Sequence, residues 1–311
     1  MAATPASPAD KRGSAITVDG HRISLTSLDK VMYPETGMSK GEVIEYYRAI
    51  APVILPYLAG RPATRKQWVN GVGTADAPGE VFFHKNLDRD APSWIRRRTI
   101  QHADHSNDYP LIDDTATLLW FVQRGTLEFH VPQWRFGPRG AQRNPDRLVL
   151  DLDPGEGVGL AECVQVARIA RDRLSALGFD AHPVTSGSKG IHLYAAADGK
   201  RSSERLTEVA KELADSLEAD HPDLIVATLV REKRRGRVFV DWNQNLASRT
   251  TVAPYSLRGR LRPTVAAPRT WDELDSSGVD GPDLAQLDHR EVLERVERDG
   301  DLLGSFLGGR A

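Results

Sequence analysis

From residue 147 to 153 apolar and acidic positions alternate strictly. Leu148, Leu150 and Leu152 fall on one side and Val149, Asp151 and Asp153 on the other, which is the period of a strand. Pro154-Gly155 ends it. Leu160, Cys163, Ala167, Ala170, Leu174 and Leu177 then recur at steps of three and four, the spacing of a helix that Gly178 closes. A short strand at 181–185, the loop Ser186-Gly-Ser-Lys-Gly190 and a strand at 191–195 follow, the last with His192 and Tyr194 opposite Ile191 and Leu193. Ser202 or Ser203 caps a helix with Leu206, Ala210, Leu213 and Leu217 on its buried stripe. The unit ends in a strand at 237–242, where Phe239 and Asp241 oppose Val238, Val240 and Trp242.

This order, βαββαβ, is the ferredoxin-like arrangement also used by RNA-recognition sheets. Its expected strand order is 4-1-3-2, which sets the first strand between the fourth and the third. With both helices on one face, the other face carries Asp151, Asp153, Asp241 and His192 on three adjacent strands. Cross-strand neighbours lie about 5 Å apart, and carboxylates that close repel unless a cation joins them. The pattern alone therefore predicts a divalent-metal site beside a histidine.

Upstream, residues 16–28 read as a hairpin turned at Asp19-Gly20. Ser39 caps a helix to residue 58 that Pro52 and Pro56 should kink or divide. Gly60-Arg61-Pro62 opens an extended stretch at 63–69, and a glycine-rich loop at 71–79 leads to Phe82-Phe83, for which burial frequencies favour a core position. A helix at 113–124, a strand at 127–131 and a polar loop at 137–146 complete the first half. That loop is the candidate subdomain boundary.

Charge adds a qualification. The 311 residues include 41 Lys and Arg against 43 Asp and Glu, a net of −2, which as a total argues against a nucleic-acid binder. The distribution says otherwise: residues 1–150 carry +3, residues 151–270 carry +2 and residues 271–311 carry −7. Cys163 is the single cysteine, so an intrachain disulfide and a cysteine-based zinc site are excluded, which fits a reducing compartment. No apolar run reaches the roughly 18 residues of a membrane span. Residues 1–14, rich in Ala, Pro and Ser, lack the apolar stretch of a secretory signal and read as a disordered lead-in.

Oxygen-only ligands suit Mg²⁺ or Mn²⁺, which usually also hold substrate phosphates. The loop at 186–190 offers backbone amides, two hydroxyls and the Lys189 ammonium as a phosphate cradle, and Arg258 a second clamp. Together these suggest two-metal nucleotidyl transfer. A lone Asp-x-Asp is most often a solvated turn; it is Asp241 and His192 on the same face that raise its weight. His102 and His105 read as polar loop surface. Arg96-Arg97-Arg98 and the basic turn 231–237 read as either solvated surface or phosphate contacts.

Seven ordered stretches, Lys30-Val-Met-Tyr-Pro34, Gly60-Arg-Pro-Ala-Thr-Arg-Lys66, His130-Val-Pro-Gln-Trp134, Leu150-Asp-Leu-Asp-Pro-Gly155, Ser186-Gly-Ser-Lys-Gly-Ile-His192, Val238-Phe-Val-Asp-Trp242 and Ala253-Pro-Tyr-Ser-Leu-Arg-Gly259, resemble the polymerase domain of bacterial ligase D, of the archaeo-eukaryotic primase superfamily. The resemblance runs from about residue 16 to 303. It implies an α+β primase-polymerase fold, with a lead-in (1–14), an N-terminal α/β subdomain (15–146) packed on a catalytic βαββαβ subdomain (147–270), and an acidic C-terminal segment (271–311) placed away from DNA, all one polymerase domain.

The resemblance further implies template-directed addition of nucleotides, ribonucleotides by preference, to primer 3′ ends at gaps and breaks in non-homologous end joining. It implies two Mn²⁺ or Mg²⁺ ions and NTP or dNTP as substrate. By position, Asp151, Asp153 and Asp241 match the metal-binding carboxylates; Lys66, His130, Ser186, Lys189, His192, Gln244 and Arg258 match residues around the triphosphate; Phe82 and Phe83 match an aromatic pair near base and template, against the core reading above. Lys30 and Lys40 match a pocket for a 5′-phosphate, where Ser27 stands in place of the usual Asn. Expected partners are gapped or broken DNA with a 5′-phosphate, the end-binding protein Ku and an ATP-dependent DNA ligase in cis or in trans, since the sequence holds no Lys-x-Asp-Gly adenylation motif. A monomer in the bacterial cytoplasm, at the nucleoid and without membrane attachment, is expected. Remaining alternatives are a stand-alone primase-polymerase of another repair pathway, an Asp-x-Asp glycosyltransferase, and a non-catalytic nucleic-acid-binding module.

Overall fold

The computed structural model describes residues 14–278 and 281–308; the expected lead-in lies outside these except for Ser14. The first hairpin pairs β1 (Ser14–Val18) with β2 (His21–Leu25) around Asp19 and Gly20, both at positive φ. A short ladder of β3 (Val31–Tyr33) and β4 (Met38–Ser39) leads into α1 (Lys40–Leu58). Ser39 caps it reciprocally with Glu42. The expected division at Pro52 and Pro56 does not occur, and α1 is a single 19-residue helix. Its buried Tyr46, Tyr47, Ile50, Ile54 and Tyr57 outweigh the two missing amide donors, because packing rather than the backbone ladder supplies most helix stability.

Next come β5 (Thr64–Gln67) and β6 (Phe82–His84), paired antiparallel. A hairpin follows that the pattern did not foretell, β7 (Arg97–Gln101) with β8 (Ser106–Pro110). His102 and His105 lie in its turn with rings stacked 4.7 Å apart. Helix α2 (Thr115–Gln123), capped by Asp114, precedes β9 (Thr126–Val131). The second half contains β10 (Arg147–Pro154), α3 (Leu160–Ala176), β11 (Ala181–Thr185), β12 (Ile191–Ala196), α4 (Ser203–Asp220), β13 (Ile225–Val226) and β14 (Val238–Asp241). Then come β15 (Thr251–Val252), β16 (Ala267–Pro268), α5 (Trp271–Ser276), α6 (His289–Asp299) and α7 (Gly304–Gly308).

The large sheet runs β13-β14-β10-β12-β11-β16. Its middle four strands have the expected 4-1-3-2 order, with a short strand added at each edge. A second sheet runs β15-β9-β5-β6. Leu148, Leu150, Leu152, Ile191, Leu193, Val238 and Val240 bury the helix side of the large sheet against α3 and α4. The other face is not open throughout, as the pattern alone suggested: Val149, Val184 and Tyr194 join the core of the N-terminal elements.

The acidic C-terminal segment is folded against this core. Tyr57 and Tyr255 donate to the two oxygens of Asp301 at 2.7 and 2.6 Å. Glu273 pairs with Arg269 and Arg295. Among the described residues no helix is long and apolar enough to cross a membrane.

Candidate active site

Strand β10 runs antiparallel to both neighbours, with Asp151 directly opposite Asp241 on one side and His192 on the other. His192 Nε2 lies 3.3 Å from Asp151 Oδ1. Gln244 Nε2 stands 3.1 Å from Asp241 Oδ2 and 3.4 Å from Asp151 Oδ2, and its donation partly offsets their repulsion. The Asn243 backbone and side-chain amides both donate to Asp241 Oδ1 at 3.0 Å. The charge of Asp151 pushes the Asp153 carboxyl up to about 7, helped by desolvation and by Asp241. Asp241 is raised too, first by burial.

Among the described residues, no group of three or more His, Cys, Asp or Glu side chains is placed so that it could hold a metal ion. The donors nevertheless fit a hard divalent cation. Asp151 Oδ1 is buried without a hydrogen bond, the acidic donors are all oxygen, and their mutual repulsion favours a bound cation.

A pH dependence follows. Asp153 ionises near 4 in the unfolded chain but only around 7 in the fold. Without divalent ions the group therefore lowers stability progressively as pH rises between those values. Mn²⁺ is expected to raise the melting temperature more at pH 8 than at pH 5. An equal rise at both would contradict the coupling.

The loop between β11 and β12 differs from the expected cradle. The Ser186 amide donates to Gly190 O at 2.9 Å, and the Ser188 and Gly190 amides donate to Ser186 Oγ at 3.2 Å. The Gly187 amide donates to Gln286 Oε1 at 2.7 Å, and Gln286 Nε2 returns a bond to Gly190 O at 3.1 Å. These four amides are thus engaged within the protein, which leaves the Lys189 amide and the loop's side chains for a ligand. Arg258 donates to Ser186 O. Lys189 and Ser188 line a cavity with Asp153, Arg231, Arg234, Arg235 and Arg260, which brings the basic turn before β14 to the carboxylates. The Arg234 guanidinium lies 3.6 Å from the centre of the Phe239 ring.

Lys66, His130 and Gln244 share a second cavity, of about 630 Å³, with Phe83 and Asp241. Phe82 and Phe83 are 37% and 53% exposed, since β6 is the edge of its sheet; the core expectation for them fails. A residue the sequence reading passed over, Glu128, lines a neighbouring cavity with Lys66, Phe83 and Gly259. It is buried, lies opposite Lys66 in the β5–β9 register, and faces His130 Nε2 at 2.8 Å, Lys66 Nζ at 3.3 Å and Arg258 Nε at 3.3 Å. Burial pushes its carboxyl up, but the His130 hydrogen bond and the charge of Arg258 override that and hold it well below the usual range. Burial lowers His130. A glutamate two positions from a histidine, in a strand that also buries Leu127, Phe129 and Val131, was the available signal.

Ser27, Lys30 and Lys40 line a third cavity, of about 580 Å³, together with Arg22, Gln123 and Arg124. No acidic residue lies among the described residues lining it. Lys40 Nζ donates to Thr26 O at 2.8 Å and Lys30 Nζ to Val69 O at 3.2 Å. Burial and then the Lys30 charge push Lys40 down to about 8, since desolvation and a like charge both disfavour the ammonium. Ser27 sits at φ 53°, a left-handed conformation that asparagine adopts more readily than serine.

A βαββαβ sheet with carboxylates on its middle strands, flanked by basic cavities, defines a nucleotidyltransferase of the primase-polymerase class. The comparisons with known proteins agree. The sequence model described as "LigD, primase-polymerase domain" matches residues 39–303, and the chain belongs to that family. It is 51% identical over 287 residues to the multifunctional non-homologous end joining protein LigD of Mycobacterium bovis, covering 91% of this chain and 36% of that protein. It is 29% identical to the bifunctional LigD of Bacillus subtilis, covering 90% and 43%. The chain thus spans well under half the length of these relatives. Among solved structures, the polymerase domain of Mycobacterium tuberculosis ligase D in complex with DNA matches with a TM-score of 0.86 and 50% identity, covering 92% of this chain and 98% of that one.

Proposed function

We propose that this chain is a template-directed polymerase of non-homologous end joining that adds nucleotides, ribonucleotides by preference, to primer 3′ ends at gaps and broken ends. The observation that carries the reading is the placement of Asp151 between Asp241 and His192, beside cavities lined by Lys66, Lys189 and His130. A glycosyltransferase reading has no use for the third, lysine-lined cavity, and a metal-free nucleic-acid binder would set carboxylates against phosphate.

In this reading Asp151, Asp153 and Asp241 hold two divalent ions, Mn²⁺ by preference. When bound, such ions lower the pKa of the primer 3′-hydroxyl and offset charge on the departing pyrophosphate. The chain does the rest by positioning. Lys189 and Arg258 neutralise charge that develops on the phosphates. Ser186, His192 and Gln244 fix the nucleotide beside the carboxylates, and Lys66 and His130 bind it from the second sheet. Phe82 and Phe83 offer exposed rings for stacking on base or template. Ser27, Lys30 and Lys40 receive the 5′-phosphate on the far side of a gap. Ku and an ATP-dependent DNA ligase are the proposed partners, in cis or in trans.

Primer extension on a gapped duplex tests this, with rNTP against dNTP, Mn²⁺ against Mg²⁺, and the gap with and without its 5′-phosphate. Absence of extension under every condition would overturn the reading. Lys30→Ala is expected to abolish the advantage of a 5′-phosphate, about tenfold, and to leave unphosphorylated gaps unaffected. Equal losses on both would contradict the phosphate pocket.

A further inference from the structure

Among the described residues, the polar groups placed against the Glu128 carboxylate all bear N–H: two hydrogen-bond to it and two face it as ion pairs. His130 Nε2, Lys66 Nζ and Arg258 Nε surround it, and the Gly259 amide donates to Oε1 at 2.9 Å. Three of these four belong to residues assigned above to the nucleotide. Yet a carboxylate is a poor neighbour for a triphosphate, and a buried one costs free energy unless it is fully partnered. Its placement therefore requires a reason other than contact with substrate.

We propose that Glu128 is a positioning residue for the incoming nucleotide, holding Lys66, His130 and Arg258, drawn from three separate segments of the chain, in the one arrangement that a triphosphate can use. The proposal rests on the polymerase reading of the site. One oxygen of Glu128 accepts from His130 Nε2. That bond fixes the ring orientation and, in the neutral imidazole, leaves Nδ1 as an acceptor. Burial favours this neutral form. The other oxygen takes the Gly259 amide and faces Arg258, so the turn after Arg258 is tied to β9. Lys66, 32% exposed at its side chain, faces Glu128 at 3.3 Å and lines a cavity with His130. Two cations against one carboxylate leave an excess of positive charge for phosphate, with the geometry set before the nucleotide arrives.

Glu128→Gln tests this with almost no change in volume. Glutamine replaces one acceptor oxygen by an NH2 group, which must face at least one donor, so at least one of the four groups at the carboxylate is displaced. Thermal melting should fall by several degrees, since a buried charge loses its partner, while gapped-duplex binding should stay close to the parent protein. The KM for nucleotide in extension, and the dissociation constant for NTP measured directly by calorimetry, should each rise by about ten- to a hundredfold, with a much smaller fall in kcat. Glu128→Asp, which restores the charge, should recover part of the loss. Nucleotide binding by Glu128→Gln within about twofold of the parent would overturn the proposal, as would a parallel loss of nucleotide and DNA binding, which marks a merely structural role. Should the parent protein bind NTP but extend no primer, the polymerase reading falls, while the calorimetric comparison still decides the role of Glu128.

Discussion

Asp241→Ala, and its gentler form Asp241→Asn, should abolish nucleotide addition while sparing most DNA binding. The expected loss is about a thousandfold or more, the scale on which removing a group that organises transition-state charge is felt. Asp241 stands opposite Asp151 at the middle of the large sheet, and its carboxyl is raised by burial and by that neighbour. Neutralising it relieves a repulsion in the ion-free protein but sets the asparagine NH2 against Gln244 Nε2, so the variant should melt within about five degrees of the parent, provided the Asn243 contacts to Oδ1 survive. Asparagine keeps that oxygen and is the better choice for this comparison. Stability retained with activity lost separates a catalytic role from a structural one. Near-normal extension by Asp241→Asn would sink the assignment of this carboxylate to metal.

The second large effect concerns Gly190, which contains no charge and contacts no proposed substrate. A methyl group there would fall well inside van der Waals contact of the Leu152 carbonyl and within 3.3 Å of Pro154 Cδ. Both neighbours flank Asp153 on β10. The glycine carbonyl also receives the Ser186 amide and Gln286 Nε2, so the loop cannot simply retreat. Gly190→Ala is expected to cost about 2 kcal/mol or more, at the upper end of the range for overpacking a tight site. Extension at a temperature where the variant is folded should fall further than DNA binding does, because the displaced strand carries Asp151 and Asp153. A melting temperature within about a degree of the parent would refute the argument.

The strands at the centre of the site were legible because each has a period of two with one side consistently apolar. Leu148, Leu150 and Leu152 fixed the face of β10, and Asp241 against Val238 and Val240 did the same for β14. From those faces and the βαββαβ order, the neighbours of Asp151 followed. The β7–β8 hairpin was not legible, since Arg97, Thr99 and Gln101 alternate with residues that are only partly buried. The two-residue strands β13, β15 and β16 exist through their partners rather than their own sequence. Glu128 escaped because its meaning lies in contacts with β5 and the turn at Arg258, and the loop at 186–190 escaped because Gln286, about a hundred residues further on, occupies one of its amides.

That last bond bears on where the unit can be cut. Every residue proposed to touch metal, nucleotide or DNA lies before residue 259. A fragment trimmed just beyond that point would keep them all and discard Gln286, along with the Asp301 carboxylate that anchors Tyr57 and Tyr255. The smallest piece containing the site's residues is therefore not the smallest piece containing the site. Fragments and fusions of this domain should be drawn with the acidic end treated as an internal support and not as a dispensable tail.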